Sequence, residues 1–259
     1  MAFNFISHPS LRWTAVWRRN FLVWRKMALP SVLGNLADPM IYLFGLGYGL
    51  GSLLPQVGGV SYVAFLAAGT VCASTMNAAS FEALYSAFSR MHVQKTWDAI
   101  LNAPVALEDV VAGEWIWAAS KATLSGAAIL LVIVALGFAH PVAALWVLPL
   151  IFLIGLCFSA MGLIVTAVAP SYDFFMYYFT LLITPMSLLS GVFFPTTQLP
   201  AAFQMLAQAL PLTHAVALVR PLLLGGTPTA PLLHVGVLAV IAVVAFAIAL
   251  PLARRRLLT

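Results

Sequence analysis

The sequence is poor in charged residues. Asp, Glu, Lys and Arg make up only 7% of its 259 residues, whereas an ordinary soluble domain contains about 25%. A surface that faces water cannot be built from so few charged side chains. The shortage therefore excludes a soluble globular enzyme, a disordered chain and a protein that binds nucleic acid.

Cysteines are also scarce, and we expect no secretory leader. Cys72 and Cys157 both lie inside apolar runs, and two cysteines are too few for a disulfide framework. We interpret them as packing residues. Residues 1–28 carry five basic side chains and contain no uncharged apolar stretch ending in small residues. This pattern argues against a signal peptide.

The sequence contains no motif of a catalytic or metal site. A P-loop requires glycines ahead of Lys-Ser or Lys-Thr, and the only lysine followed by either residue is Lys95, which no such glycine run precedes. Ser159 lacks the flanking glycine spacing of a nucleophile turn. The five histidines are scattered, without the spacing of metal ligands. We therefore predict no catalytic residue, no metal and no cofactor in this chain.

Apolar residues dominate, at 63% of the chain. A helix that spans a membrane needs about 20 mostly apolar residues. Six stretches qualify: 29–53, 61–87, 113–136, 142–168, 174–194 and 231–252. Each is continuously apolar rather than alternating, which argues against a β-barrel. The predicted fold is an all-α membrane protein with six transmembrane helices.

Basic residues gather on one side of the predicted bundle. Six spans put both termini on the same side, and ten of the twelve Lys and Arg residues fall there. The positive-inside rule makes that side cytoplasmic. We predict a cytoplasmic N-terminal segment over 1–28, a transmembrane domain over 29–252 and a cytoplasmic tail over 253–259.

An amphipathic helix is predicted just before the first span. Trp13, Trp17, Phe21 and Trp24 fall on one face, and the basic residues of this segment occupy the other. We predict an interfacial helix with its aromatic face in the lipid and its cations near the headgroups. A simple basic flank would explain the charge but not the aromatic stripe.

A second amphipathic segment lies between the second and third spans. One face is apolar and the other polar, and Pro104 ends the pattern. The apolar residues are Val93, Trp97, Ile100 and Leu101, and the polar ones include Lys95 and Asp98. Such a helix could dock in the groove of a partner or lie on the membrane, and the pattern alone does not choose.

The predicted external stretch 195–230 contains five prolines, with a sixth directly after it at Pro231, and yet remains apolar. Its leucines, valines and one phenylalanine recur at helical spacing in two groups. An apolar segment of this length does not sit in water. We predict two short helices that dip into the outer leaflet.

Ionisable residues inside the spans are costly and normally face the bundle. Asp38, Glu82 and Lys121 reach similar depths in the cytoplasmic half when each residue is counted at about 1.5 Å. We predict an ionic cluster in which Lys121 bridges the two acids. It would either pin the helices or transmit motion between them.

Small and aromatic residues mark two further helices. Gly45 and Gly49 form a Gly-x-x-x-Gly pair at the end of the first span, a pattern that allows close helix approach. The fifth span opens with an aromatic run that includes Tyr178 and Phe179. The run indicates either packing at the interface or the lining of a lipid or sugar path.

Together these segments resemble the permease subunit of ABC-2 type exporters, in particular the branch that exports nodulation factors. The resemblance covers nearly the whole chain. The blocks that carry it are 37–51, 75–82, 99–105, 190–195, 210–215 and 219–221. They include Ala-Asp-Pro before the glycine-rich end of the first span and Ser-Gly-Val-Phe-Phe-Pro after the fifth.

The resemblance implies a homodimer in the bacterial inner membrane, bound to two copies of a separate ABC ATPase, the I component, which would hold ATP and Mg²⁺. Its substrate would be a lipo-oligosaccharide. The segment about 91–103 would be the coupling helix, contacting the ATPase through Arg90, Val93, Lys95, Trp97, Asp98, Ile100, Leu101 and Pro104.

The resemblance also assigns roles to the remaining marked residues. Gly45, Gly49, Tyr178 and Phe179 would line the dimer interface or the path, and Phe193, Phe194 and Arg220 would form an outer gate. Two alternatives stay open. One is an ABC-2 exporter of drugs or of another polysaccharide or glycolipid, and the other is a proton-coupled secondary transporter.

Overall fold

The structure, a computed structural model, describes residues 10–258 and is predominantly helical. The helices are α1 (Trp13–Arg25), α2 (Ala28–Gly49), α3 (Tyr62–Phe81), α4 (Thr96–Leu101), α5 (Leu107–Ala135), α6 (Pro141–Val168), α7 (Phe174–Tyr178), α8 (Thr184–Leu189), α9 (Ala201–Ala209), α10 (Pro211–Leu223) and α11 (Pro231–Leu258). Residues 1–9 of the predicted N-terminal segment and residue 259 of the predicted tail lie outside the described residues.

A short hairpin joins α2 to α3. Strands β1 (Gln56–Val57) and β2 (Val60–Ser61) pair antiparallel, after a single 3₁₀ turn at Leu50–Ser52. Gly58 and Gly59 both have positive φ angles, which glycine adopts without steric cost. The hairpin ends α2 earlier than the predicted boundary at residue 53.

Two helices continue through wider π-helical turns. α3 runs on through turns at Glu82–Ser86 and Ser89–Val93, so that one helix extends over Tyr62–Val93. The turn Phe179–Ile183 joins α7 to α8. Turns of this kind are rare and are frequently found at functional sites.

Four helices are long and apolar enough to cross a membrane: Tyr62–Val93, Leu107–Ala135, Pro141–Val168 and Pro231–Leu257. A fifth is added if α9 and α10, bent by 87° at Leu210, count as one broken span. The prediction of six spans is thus confirmed only in part. α2 has 22 residues, but Asn35, Asp38 and several glycines lower its apolar content.

The predicted span 174–194 is helical only as far as Leu189. Ser190 and Gly191, which has a φ of +77°, end the helix before the loop that reaches Pro195. The external stretch forms the two short helices that its spacing predicted, α9 and α10, with Pro211 in the first turn of α10.

α6 lies at the centre of the bundle and contacts α3, α5, α10 and α11. Its small residues allow close approach. A Cβ added at Gly155 would lie 3.0 Å from the backbone of Ala119 in α5, and one at Gly162 would lie 2.8 Å from the Cβ of Ala83. The interior is therefore packed helix against helix without large side chains at these crossings.

The aromatic residues of α1 do not face the direction that was predicted for them. Trp17, Phe21 and Trp24 surround the ring of Trp117 in α5, with centroid distances of 5.9–6.4 Å. The indole of Trp17 donates a hydrogen bond to the Ser120 hydroxyl at 3.1 Å. The stripe faces the protein rather than lipid, because α5 supplies an aromatic surface that a helical wheel cannot reveal.

Candidate functional site

A cavity of about 1150 Å³ lies between α2, α3 and the helix Phe174–Leu189. Its outer end is bordered by the hairpin and by the loop 192–198. Two of these elements, α2 and Phe174–Leu189, carry residues for which the sequence predicted a path or interface. The cavity is slightly larger than the usual ligand pocket of about 300–1,000 Å³ and far larger than a packing defect.

The cavity wall is mostly apolar and carries polar groups at chosen positions. Thr70, Ser74 and Asn77 follow one face of α3 at helical spacing. Asp38 of α2 is the only acidic or basic residue among the described lining. Asp38, Ser74 and Asn77 form no side-chain hydrogen bond or ion pair within residues 10–258.

Aromatic rings lie at the end of the cavity that is nearer to Val93, the last residue of the long helix Tyr62–Val93. Phe179 lies 4.5 Å from Phe81, centroid to centroid, and both line the cavity. Tyr85 stacks beneath them at 5.4 Å from Phe81, and it contacts Phe175 edge-on at 5.1 Å. Phe88 continues this row of rings toward Val93. We call the rings of Phe81, Phe179 and Tyr85 the aromatic floor of the cavity.

The outer end of the cavity is lined by Phe193 and Phe194. The hydroxyl of Tyr62 donates to the backbone oxygen of Phe193 at 3.2 Å, and the ring of Tyr42 lies 6.1 Å from that of Phe193. The two phenylalanines line the cavity, and their role as an outer gate stays a prediction.

Arg220 does not line the cavity. Its guanidinium lies 3.7 Å above the Phe65 ring and donates to the backbone oxygens of Phe65 at 3.3 Å and Val192 at 3.1 Å. These contacts correct the predicted gate role. Arg220 fastens α10 to α3 and to the loop that carries the two gate phenylalanines.

An ionic cluster joins Glu82 to Lys121, as predicted, but its other members differ. Lys121 Nζ contacts Glu82 Oε2 at 2.7 Å. Arg90 bridges Glu82 at 2.9 Å and Glu114 at 2.5 Å. Asp38 is absent from the cluster, so Lys121 does not bridge Glu82 to Asp38. We call Glu82, Arg90, Glu114 and Lys121 the four-residue cluster.

The four-residue cluster pairs two acidic with two basic side chains, and both acids are buried. Glu82 and Glu114 are only 3% and 1% exposed. The indoles of Trp117 and Trp97 donate to Glu82 Oε1 at 2.7 Å and to Glu114 Oε1 at 3.1 Å. Buried charges require such pairing and hydrogen bonding. Every acid of the cluster therefore has both an ionic and an indole partner.

The position of Trp97 differs from the prediction, which placed it on the face of the coupling helix that contacts the ATPase. The helix is α4, Thr96–Leu101, rather than about 91–103, because Lys95 adopts a left-handed backbone with a φ of 54°. Trp97 is 1% exposed and anchors α4 to α5 through Glu114. It points into this chain and offers no surface to a partner.

The rest of α4 and its flanks divides between the interior and the surface. Ile100 and Leu101 are half-buried against the core. Val93 and Lys95 are exposed, at 60% and 62%, and Asp98 lies 3.9 Å from Lys95. Pro104, beyond the end of α4, is also exposed. The surface open to a partner is thus more polar than the predicted one.

Comparison with known proteins agrees with this architecture. Residues 12–224 match the family described as ABC-2 type transporter. The chain belongs to the ABC-2 type transporter family. It is a membrane subunit of a transporter rather than an enzyme, and this family pairs its membrane subunit with an ABC ATPase.

The ABC-2 permease has several similar relatives. It is 54% identical over 248 residues to nodulation protein J of Rhizobium leguminosarum bv. viciae, covering 96% of each chain. It is 52% identical over 246 residues to nodulation protein J of Rhizobium meliloti (strain 1021), covering 95% of this chain and 94% of the relative. A more distant relative is the inner membrane transport permease YadH of Escherichia coli (strain K12), 26% identical over 207 residues, or 79% and 78% of the two chains.

Both ends of the permease hold the segment around α4. The guanidinium of Arg12 donates to the backbone oxygen of Pro104, and Ser10 donates to Asp109 at 2.5 Å. From the other end of the chain, Arg254 pairs with Glu108. No local sequence pattern predicts these contacts, because they join residues 92, 99 and 146 positions apart.

The glycine pair of α2 faces open space. A Cβ at Gly45 or Gly49 would meet nothing within 4 Å, whereas Gly47 packs against Val63 of α3. Of the two aromatic residues predicted beside them, Phe179 lines the cavity. Tyr178 is buried, at 7% exposure, and it therefore lines neither the cavity nor an exposed face.

Proposed function

We propose that this permease forms the membrane path of an ATP-driven exporter of a lipo-oligosaccharide, or of a related amphiphilic glycolipid. The observation that carries the proposal is the cavity between α2, α3 and Phe174–Leu189. It combines an apolar wall with unpaired polar groups, which suits a ligand with a polar head and an acyl chain. The similarity to the two nodulation J proteins supports this substrate class.

The aromatic floor gives the proposed path a direction. In the proposed path, Phe81 and Phe179, whose rings lie 4.5 Å apart, form the barrier on the cytoplasmic side, and the cavity then corresponds to a state that releases its ligand outward. Loading from the cytoplasmic side requires these rings to separate. The proposed transport cycle therefore alternates between two states. In one, the floor is open and the outer end is closed; in the other, the floor is closed and the outer end is open.

The proposed driving force comes from a partner. A separate ABC ATPase of the nodulation type, the I component, binds ATP and Mg²⁺ and docks on the exposed residues around α4. Trp97 and the four-residue cluster join α4 to α5 and to the end of α3. Motion of α4 is thereby passed to the helix that carries Phe81.

Two copies of the permease and two of the ATPase complete the proposed assembly. The open glycine face at Gly45 and Gly49 suits a second copy, since it offers a backbone surface without side chains. The assembly lies in the bacterial inner membrane with both chain ends cytoplasmic. This arrangement agrees with the basic residues near α1 and at the end of α11.

Gentle purification of the permease from its native membrane tests the proposal. We expect a P-loop ATPase to copurify at about one-to-one stoichiometry. Val93→Asp, on the exposed flank of α4, should remove the ATPase without unfolding the permease. Leu136→Asp, exposed at the opposite end of α5, is the matched control and should retain it. A folded permease that never copurifies with an ATPase would contradict ATP-driven export.

A further inference from the structure

A second cavity, of about 490 Å³, lies between α1, the last turns of the long helix Tyr62–Val93 and α5. We call it the α1 cavity. It shares no lining residue with the larger cavity, and its volume lies in the range of ligand sites. Among the described lining residues, Arg19, Arg90 and Lys121 are basic, and only Glu82 is acidic. The α1 cavity is therefore a basic pocket.

One of these basic side chains lacks an acidic partner. Arg90 and Lys121 belong to the four-residue cluster, in which two acids match two bases. Arg19 forms no ion pair within residues 10–258. Its guanidinium donates only to neutral oxygens, those of the Asn20 side chain at 2.9 Å and the Thr96 hydroxyl at 3.5 Å. Arg19 thus leaves the pocket with one positive charge in excess.

The surroundings of Arg19 make that charge costly. Burial lowers the pKa of its guanidinium, the positive charge of Arg90 lowers the pKa further, and the carboxylate of Glu114 offsets the shift only in part. An opposite charge within about 4–6 Å favours the charged form of a group. An anion bound beside Arg19 would therefore stabilise this corner of the molecule.

A buried donor next to Arg19 is also without a partner. Asn20 is 3% exposed and lines the α1 cavity. Its Oδ1 accepts from Arg19, whereas its Nδ2 donates to no acceptor within the described residues. A buried N–H group without an acceptor is costly. A ligand oxygen that reaches this corner would satisfy Asn20 as well as Arg19.

Apolar side chains form the rim of the α1 cavity. Val23 and Met27 line it and are 56% and 67% exposed. Leu22 and Leu29, close to them along the chain, are exposed as well. A free phosphate ion would gain nothing from this rim, whereas acyl chains that cover it would remove apolar surface from water. Charge and rim together favour a phospholipid over a free anion.

We infer that the α1 cavity binds the phosphodiester head of an anionic phospholipid. Arg19 pairs with the phosphate, and Asn20 positions the guanidinium and donates to a phosphate oxygen. Basic pockets between membrane helices bind such heads. The excess charge favours phosphatidylglycerol, which carries one negative charge, over phosphatidylethanolamine, whose ammonium group cancels it. The inference goes beyond the proposed function, because this lipid is held by the permease and not exported.

Two phospholipids with the same acyl chains, phosphatidylglycerol and phosphatidylethanolamine, test the inference. Full-length permease is freed of copurified lipid in a non-ionic detergent and titrated with each lipid in mixed micelles. Native mass spectrometry counts the lipids bound per chain and gives the dissociation constant of the first one. Inorganic phosphate, added to the complex with phosphatidylglycerol, distinguishes a lipid site from a site for the free anion.

Wild-type permease should bind phosphatidylglycerol at least about tenfold more tightly than phosphatidylethanolamine. Arg19→Gln should reduce this preference to about twofold or less, and Arg19→Lys, which retains the charge, should keep most of it. Arg25→Gln removes a basic side chain from the same helix but outside the α1 cavity, and it should leave the preference unchanged. Excess inorganic phosphate should not displace the lipid.

Three results would overturn the inference and leave the proposed function standing. The first is equal binding of the two lipids to the wild type, or a preference that survives Arg19→Gln. The second is a preference that Arg25→Gln lowers as much as Arg19→Gln does, since this would show a diffuse attraction to the basic residues of α1. The third is displacement of the lipid by inorganic phosphate, which would make the α1 cavity a site for a free anion.

Discussion

The four-residue cluster should couple the stabilities of α3 and α5. In Glu114→Gln, Arg90 loses a carboxylate that it contacts at 2.5–3.1 Å, while its own charge stays in place. Glu114 is 1% exposed, so water cannot replace it. Breaking a buried pair by removing one partner costs about 3–5 kcal/mol, and we expect a loss of this size in the free energy of unfolding.

A double-mutant cycle measures the coupling directly. Arg90→Met should cost a similar amount, because it leaves Glu82 with Lys121 and the Trp117 indole, and Glu114 with only the Trp97 indole. The double variant Arg90→Met with Glu114→Gln should be less destabilised than the sum of the two by at least about 1 kcal/mol. The assay is reversible unfolding of the purified permease in mixed detergent micelles, titrated with a denaturing detergent.

The same cycle with Asp38 provides the contrast. Lys121→Met and Asp38→Asn should be additive to within about 0.5 kcal/mol, since the structure brings no atom of Asp38 to Lys121. Additivity of Arg90→Met and Glu114→Gln, or strong coupling between Lys121 and Asp38, would refute the described membership of the cluster.

Three further changes test other parts of the molecule. Gly45→Leu fills an open helix face and should shift the permease from dimer to monomer in light scattering, whereas Gly236→Leu, at an equally open glycine of α11, should not; a dimer in both would contradict the interface. Arg220→Ala removes two hydrogen bonds to backbone oxygens and should lower the free energy of unfolding by about 1.5–3 kcal/mol per bond to the charged group; an unchanged unfolding transition would contradict its fastening role. Trp97→Ala should free α4 and speed cleavage by protease near Lys95, and unchanged cleavage would show that Trp97 does not anchor the helix.

How much of the fold could be predicted depends on the sequence pattern used, since long apolar runs are more informative than single prolines or glycines. Long apolar runs identify helices such as α5 and α6 directly, because lipid leaves a spanning segment no other hydrogen bonding. Prolines and glycines located the ends of helices less well. Gly49 and Ser190 end α2 and the helix Phe174–Leu189 several residues before the predicted boundaries.

The partners of amphipathic faces could not be predicted. A stripe of tryptophans on α1, or the indole of Trp97 on α4, shows that a face must be covered but not by what. Lipid, a partner protein and the chain itself all satisfy the same pattern. In both cases α5 covers the face, through Trp117 and Glu114, and neither contact has a counterpart in local spacing.

For the ionic cluster, the sequence predicted the height of each residue along its helix but not which neighbouring helix its side chain faces. Counting residues placed Asp38, Glu82 and Lys121 at similar heights, yet their direction around each helix depends on packing. Glu82 and Lys121 face each other, whereas Asp38 faces the cavity. Arg90 was assigned to the ATPase surface, although its position two turns from Glu82 on one helix was a signal for the contact.

Reconstituted transport tests the central claim most directly. Permease and ATPase are placed in proteoliposomes with a lipo-oligosaccharide, and its appearance on the far side of the membrane is followed with ATP and with ADP. The account predicts ATP-dependent transport that is lost in the double variant Gly45→Leu with Val93→Asp and retained in the control Gly236→Leu with Leu136→Asp. Transport that proceeds equally with ADP, or that never occurs with the intact complex, would contradict it.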